Sequence, residues 1–350
     1  MDFKRIFIKD ACPTKIGGQA VMEGIMMKGE DRSAVVVRLP DGAMHITTAK
    51  LKKKGGKYKI PVIRGALIFV DSLLTGMRTL MQSAEVLESA MAEEDADGEG
   101  AEEEGRFARW LEEKFGEKAV INFTLITAVV AAIVFTVLIF IIAPTWVMGL
   151  FGHWIKNSVA LNLIEGVFRI VLFVIYIVLI SRLKDIKTVF QFHGAEHRCI
   201  HCYENGLELT PANCRKFETL HPRCGTSFLM FVMVISLLLF SLLGWPNLLI
   251  RILSRLLLIP VIAGLSYELL RWAGSSMSPI VVALSVPGLL LQRLTTLKPD
   301  DSQLEVAIAA VKAVLVPPET PEISGICDES GSLVPEKQTF EDIILNWRGF

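Results

Sequence analysis

Residues 119–143 (AVINFTLITAVVAAIVFTVLIFIIA) run for 25 positions without one charged side chain. As a helix rising 1.5 Å per residue, this stretch reaches about 37 Å, enough to cross a hydrocarbon core of roughly 30 Å. A soluble fold has no comparable use for it, because a helix on a water-facing surface needs a polar side. The chain is therefore expected to be organised around a membrane. Residues 167–183, 226–243 and 256–272 are further apolar segments, which predicts four spans. Residues 279–291 are apolar but short and interrupted by Pro287-Gly288, so they are expected at the interface or packed on the bundle. Composition agrees: 52% of the residues are hydrophobic and the mean hydropathy is +0.47.

A net charge of −1 offers no bulk attraction for nucleic acid, and the lipid bilayer is the partner the composition calls for. Local charge is uneven. Residues 1–64 hold fourteen Lys and Arg against six Asp and Glu, whereas 88–105 hold nine acids and no base. Basic residues flank the first span and fill the segment between spans two and three, while 144–162 contribute only Lys156. The excess of positive charge on cytosolic loops then predicts both termini in the cytosol. Arg251 and Arg255 fall on the other side in this scheme. Residues 1–10 hold no apolar core of the length a cleavable signal needs.

The parts outside the spans divide by pattern. Residues 33–51 read as a β-hairpin closed by Pro40-Asp41-Gly42, and Gly55-Gly56 as a second turn. Within the cytosolic N-terminal region (1–61) this is the β element. Polar residues recurring at three, four or seven positions through 62–91 predict an amphipathic helix on the membrane or against the spans. Residues 88–105 are expected to be an acidic disordered linker, and 317–350 a loose C-terminal tail. The expected fold is thus mainly α and polytopic, with a membrane domain over 119–295 that carries a His-rich cytosolic loop at 184–225.

That loop carries the chemistry. Three of the six histidines fall in Phe192-His193-Gly194-Ala195-Glu196-His197-Arg198-Cys199-Ile200-His201-Cys202-Tyr203-Glu204. His193, Glu196 and His197 reproduce the H-x-x-E-H order of inverted zinc-peptidase sites. On a helix, His197, His201 and Glu204 lie about 40°, 80° and 20° around from His193, with Glu196 about 60° to the other side. Gly206 is placed to stop that helix, and Thr210-Pro211 to start another. The chain then returns through His221-Pro222-Arg223-Cys224-Gly225. Imidazole and thiolate suit a divalent transition metal, with zinc the expected ion. The expected ligands are His193, His197, His221 and Cys224, and Glu196 is the expected catalytic base. His201, Glu204, Glu268, Glu23 and Gln19 are candidates for a supporting layer. Cys199, Cys202, Cys214 and Cys224 do not read as a disulfide framework. Cys202 points about 180° from His193, away from a shared ion. Glu268, inside the fourth predicted span, is either a functional acid at membrane depth or the partner of Arg64 or Arg271.

The run Gly17-Gly18-Gln19-Ala20-Val21-Met22-Glu23-Gly24-Ile25-Met26-Met27-Lys28-Gly29 resembles the N-terminal signature of the YqhQ-like bacterial membrane proteins, a family defined by a domain of unknown function (DUF1385). The His193–His197 motif, Cys202-Tyr203-Glu204, His221–Phe228 and Gly264–Arg271 resemble its central motifs. The resemblance implies a multi-spanning bacterial inner-membrane protein described as a metal-dependent enzyme, and it names no substrate. Gly17-Gly18 and Gly24 then either form a tight turn into the hairpin or bring Gln19 and Glu23 to the metal site. Together these readings favour a metal-dependent hydrolase at the cytosolic membrane face. A closed four-ligand shell would instead make a non-catalytic scaffold. A transporter or channel using Glu268 is a third reading, and with so few spans it would call for a homo-oligomer.

Overall fold

The computed structural model describes residue 6 and residues 14–51, 60–95, 117–151, 154–244, 246–275, 278–317, 321–322 and 324–327. Two compact units emerge, one from residues 1–92, 176–232 and 260–350, the other from 93–175 and 233–259.

The first unit is organised by a sheet. Strands β1 (Gly17–Val21), β2 (Gly24–Lys28), β3 (Arg32–Arg38) and β4 (Met44–Lys50) form an antiparallel meander, and β5 (Ser324–Cys327) pairs with β4. Register sets Met27 opposite Ala34, Met26 opposite Val35 and Val36 opposite Ile46. Because strand side chains alternate, Ile25, Met27, Ala34 and Val36 enter one apolar cluster and Val21, Met26, Val35 and Val37 another. The uninterrupted apolar run of β3 therefore belongs to a strand buried on both faces. Helix α1 (Ile63–Asp95) covers one face through Leu87. Helices α5 (Lys184–Glu204) and α10 (Asp301–Leu315) cover the other, with Phe192, Ala195 and Cys199 from α5 and Leu304, Ala307 and Val311 from α10. Asp300 and Gln303 close a reciprocal capping box at the start of α10.

The apolar helices follow the hydropathy. Helix α2 (Glu117–Val137) continues through one π-helical turn (Leu138–Ile142) into α3 (Ala143–Phe151). Helices α4 (Ser158–Ile180) and α8 (Leu248–Ser275) are uninterrupted. Among the described residues, Thr127–Phe151, Ser158–Ile180 and Leu248–Ala273 are long and apolar enough to cross a membrane. The shorter apolar helices are α7 (Gly225–Ser241) and α9 (Pro279–Thr295), each of 17 residues. A short α6 (Pro211–Cys214) begins at Thr210, whose hydroxyl caps Asn213 N–H, as the Thr-Pro pair predicts.

Several expectations change. The helix expected to carry the histidine stripe forms, packed on the sheet and ending at Asn205 with Gly206 at φ +68°, but it starts as early as Lys184, so the first half of the region read as a loop is helical. Residues 88–95, read as part of an acidic linker, complete α1. Charge suits a solvated linker and a solvent-facing helix alike, so acidic composition by itself does not end a helix. Residues 324–327, read as loose tail, supply the edge strand β5, because β4 left an unpaired edge that accepts them. The Gly55-Gly56 turn, residues 96–105 and residues 328–350 lie outside the described residues.

Helix α5 approaches the segment after α9 closely: a Cβ built on Gly194 would stand 2.0 Å from the Leu297 carbonyl oxygen. Gly194→Ala should therefore cost about 1–3 kcal/mol or more through overpacking. Gly149→Ala, where an added Cβ meets nothing within 4 Å, should gain up to about 1 kcal/mol of helix propensity. Thermal midpoints in detergent should move in opposite directions, and equal shifts would contradict this packing.

Candidate metal centre

The stripe expected on α5 is present, and the tertiary fold selects among its members. His193 Nδ1 lies 2.8 Å from the Thr295 carbonyl oxygen, and His197 Nδ1 bonds the Thr219 carbonyl. A carbonyl can only accept, so each Nδ1 carries the proton and each Nε2 keeps a free lone pair. His193 Nε2 is 3.1 Å from Cys224 Sγ. Ligand atoms of His193, His197 and Cys224 all lie within 4.8 Å of one another. Cys224 immediately precedes α7, and its sulfur accepts from Thr226 N–H at 3.4 Å and contacts Thr226 Oγ1 at 3.2 Å. The exposed N–H groups of a helix start suit the anionic sulfur of a metal thiolate.

Imidazoles that carry a proton on one nitrogen, oriented by a carbonyl, are the usual arrangement around bound metals. Burial lowers the pKa of His197, which keeps its ring neutral at physiological pH. The donor set of two imidazoles and one thiol fits zinc, with three protein ligands.

His221, the fourth expected ligand, is turned elsewhere. Its Nδ1 accepts from Arg223 N–H at 3.3 Å, which leaves the proton on Nε2, 3.9 Å from Glu204 Oε2. Its ring stands 5.5 Å from that of His197 and 4.6 Å from that of His201. His201 spends Nε2 on the Leu220 carbonyl at 3.0 Å. Burial pulls both His201 and His221 down to about 4. Glu204 is the hub of this second layer, accepting from Arg223 and, at 2.8 Å each, from Thr14 N–H and Thr14 Oγ1. Burial alone would raise its carboxyl, but His221, Thr14 and Arg223 outweigh it and hold the pKa at about 2.

Glu196 shares a cavity of about 580 Å³ with the three candidate ligands, Gln19 and His221. Its Oε1 accepts the Gly18 backbone N–H at 2.8 Å. A Cβ on Gly18 would lie 2.5 Å from the Met26 carbonyl oxygen and 3.1 Å from Glu196 Cδ, so only glycine allows this approach. Burial raises the Glu196 pKa, against the opposing pull of His193 and the Gly18 N–H. The N-terminal signature forms the paired strands β1 and β2, which the sequence reading did not anticipate, and it brings Gly18 and Gln19 to the cavity. Glu23 occupies the exposed hairpin turn at φ +46° and does not line the cavity. Glu268 lies away from it, bound through Oε1 to Arg64 Nε at 2.6 Å.

Gln292, Thr219 and Thr295 are positioning residues that pattern reading missed. Gln292 is fully buried, accepting His221 N–H at 2.8 Å and donating to the His221 carbonyl and Ser227 Oγ at 2.9 Å each. Its polarity within an apolar helix was the one available signal. Thr219 and Thr295 act through backbone carbonyls, which no side-chain pattern reveals. Cys199, Cys202 and Cys214 are buried free thiols away from the cavity, with Cys199 Sγ 3.4 Å from Cys214 Sγ.

The family described as protein of unknown function (DUF1385) matches residues 60–316. The uncharacterized protein YqhQ of Bacillus subtilis (strain 168) is 32% identical over 315 residues, covering 88% of this chain and 94% of that protein. No solved structure matches the chain.

Because the folded pKa of Glu204 lies below its ordinary 4.5, its charge stabilises the fold above that pH, and the contribution is lost as pH falls toward 2. The stability difference between wild type and Glu204→Gln, followed by denaturant titration, should be largest above pH 4.5 and shrink through that window. A pH-independent difference would contradict the network.

Proposed function

The chain belongs to the DUF1385 family, and on that premise we propose that it is a metal-dependent hydrolase working at the cytosolic face of a bacterial inner membrane. One observation carries the reading: two carbonyl-oriented imidazoles and a helix-start thiol converge on a cavity that also holds a buried carboxylate. His193, His197 and Cys224 would hold zinc, which would lower the pKa of a bound water toward about 7. Glu196, poised by burial and fixed by Gly18, takes the proton of the attacking water. His221 is committed to Glu204 and Arg223, so the three-ligand set leaves a position open, which favours catalysis over a closed structural shell. Arg64 engages Glu268, which argues against the transport reading.

A second reading rests on the 3.1 Å contact of Cys224 with His193, a thiol beside a base that Thr295 orients. Alkylation separates the two readings, since a zinc-bound sulfur resists iodoacetamide until the metal is chelated and a free nucleophile does not.

Membrane placement follows the same reading. Val70, Leu73, Leu74, Met77 and Leu80 form an exposed apolar stripe on α1, which suits an amphipathic helix lying at the lipid interface. Counting α7 as a short span gives four spans with both termini in the cytosol. Reporter fusions after residues 105, 153, 206 and 245 should read in, out, in, out. An external signal at 206 would remove the cytosolic site.

Purified protein should retain close to one equivalent of zinc by elemental analysis. His193→Ala, His197→Ala and Cys224→Ser should lose it, and His45→Ala should keep it. Glu196→Gln should keep the metal yet fail to complement a deletion strain, since a general base contributes roughly 10²- to 10⁴-fold. Full complementation by Glu196→Gln, with none by His197→Ala, would sink the hydrolase and leave a structural metal.

A further inference from the structure

Helix α1 carries its polarity inside out. Ser72, Thr75, Gly76, Thr79 and Ser83 fall within about 100° of one another around its axis. That side turns inward: Gly76, Thr79 and Ser83 are buried, and Ser72 and Thr75 line the cavity of the candidate metal centre. The β1–β2 strand pair meets it through polar groups. Ser83 Oγ accepts Met22 N–H at 3.3 Å, and Gln19 Nε2 reaches the Gly76 carbonyl at 3.5 Å. A Cβ on Gly76 would stand 2.6 Å from Gln19 Oε1, so glycine there lets the cavity wall close. Val70, Leu73, Leu74, Met77 and Leu80 gather within about 120° on nearly the opposite side, and all five are exposed. A helix between water and a core does the reverse, burying its apolar stripe and showing its polar one. Inverted polarity is what a helix standing between lipid and a polar cavity needs.

One residue joins the two sides. Ser72 lines the cavity yet is exposed, and its neighbours Leu73 and Leu74 belong to the outward stripe. The cavity therefore opens beside an apolar surface. Apolar helix α7 starts at the same cavity with Gly225 and Thr226, and its Phe228 packs on Phe69 of α1, 5.4 Å between ring centroids. The cavity is itself amphipathic: besides the candidate ligands and Glu196, it is lined by Ile16, Met26, Val189, Phe190 and Ile200. Its volume of about 580 Å³ lies within the roughly 300–1,000 Å³ usual for small-molecule sites. We propose that the substrate is a membrane-dissolved amphiphile. Its polar group reaches His193, His197 and Cys224, and its hydrocarbon chain leaves past Ser72 along α1 into lipid. This names the substrate class of the hydrolase read above and rests on that reading. A fully water-soluble substrate would use neither the apolar lining nor the outward stripe.

The test uses the full zinc-loaded chain in phosphatidylcholine nanodiscs, with ligand-induced shifts of the thermal midpoint as the readout. The probes are acetohydroxamate and octanohydroxamate, which share a metal-binding head and differ in the tail. Octanamide, the tail without that head, gives the bilayer's own contribution, which is subtracted. Octanohydroxamate should bind at least about tenfold tighter than acetohydroxamate, since each methylene taken from water adds about fourfold. Ser72→Trp fills the mouth and should bring the ratio of the two affinities toward one. Leu73→Gln makes the mouth polar without filling it and should fall between, which covers a tryptophan variant that fails to fold. A ratio equal in wild type and both variants would reflect partition into the bilayer alone and would overturn the proposal. Acetohydroxamate binding that His197→Ala removes, with no gain from the longer tail, would overturn the amphiphile and leave the metal site standing. No response to either hydroxamate, or responses that His197→Ala leaves intact, would remove the metal site and the substrate class with it.

Discussion

Two backbone carbonyls decide what the histidines of this protein can do. The carbonyls of Thr295 and Thr219 each take an Nδ1 proton, from His193 and His197, and thereby turn both Nε2 lone pairs toward Cys224. A third, at Leu220, takes Nε2 of His201 and removes that ring from the set. These oxygens belong to segments that reach α5 because Gly194 lets the Leu297 carbonyl come within van der Waals reach of the helix backbone. The close approach fixes the carbonyls, the carbonyls fix the tautomers, and the tautomers define the donor set.

The two buried carboxylates of α5 show how partners set charge. Glu196 and Glu204 lie on one helix and are 5% and 6% exposed, so both are desolvated. Glu204 meets Arg223, Thr14 and the His221 ring, and its charged form wins by a wide margin. Glu196 meets one N–H from Gly18, too little to offset burial, so its proton affinity rises. The first is a fixed charge that holds the N-terminal segment to the helix. The second is a group able to exchange a proton beside the cavity. In the other unit the buried carboxylate of Glu165 is held by the guanidiniums of Arg169 and Arg255.

Much of this was legible in the chain. Hydropathy located the long apolar helices, the Asp-Gly turn located β3 and β4, and the spacing of His193, Glu196 and His197 put them on one helical face. Gly206 and Thr210-Pro211 marked helix ends correctly. The elements that escaped were those whose signals are local but quiet. Helix α10 is announced by Asp300 and Gln303, yet Ala-rich residues 306–313 read as neither span nor surface helix. Strand β5 is four residues long and exists because β4 offers an edge. Acidic residues 88–95 looked like linker because net charge suggests solvation, and a solvated helix satisfies that equally well.

The sequence alone determined which segments seek lipid and which face of α5 carries imidazoles and carboxylates, whereas the close approach that requires Gly194 emerged only in the fold. The first two follow from periodicity and side-chain polarity, properties each residue carries with it. Tertiary structure decided that Cys224 joins His193 and His197 while His221 turns to Glu204, and that Glu268 belongs to Arg64. It also decided that Gly18 delivers its N–H to Glu196 from 178 residues away. A hydrogen bond depends on distance and angle between groups remote in the chain, and a backbone carbonyl is the same in every residue. No pattern of side chains could have named the oxygens that orient the candidate ligands.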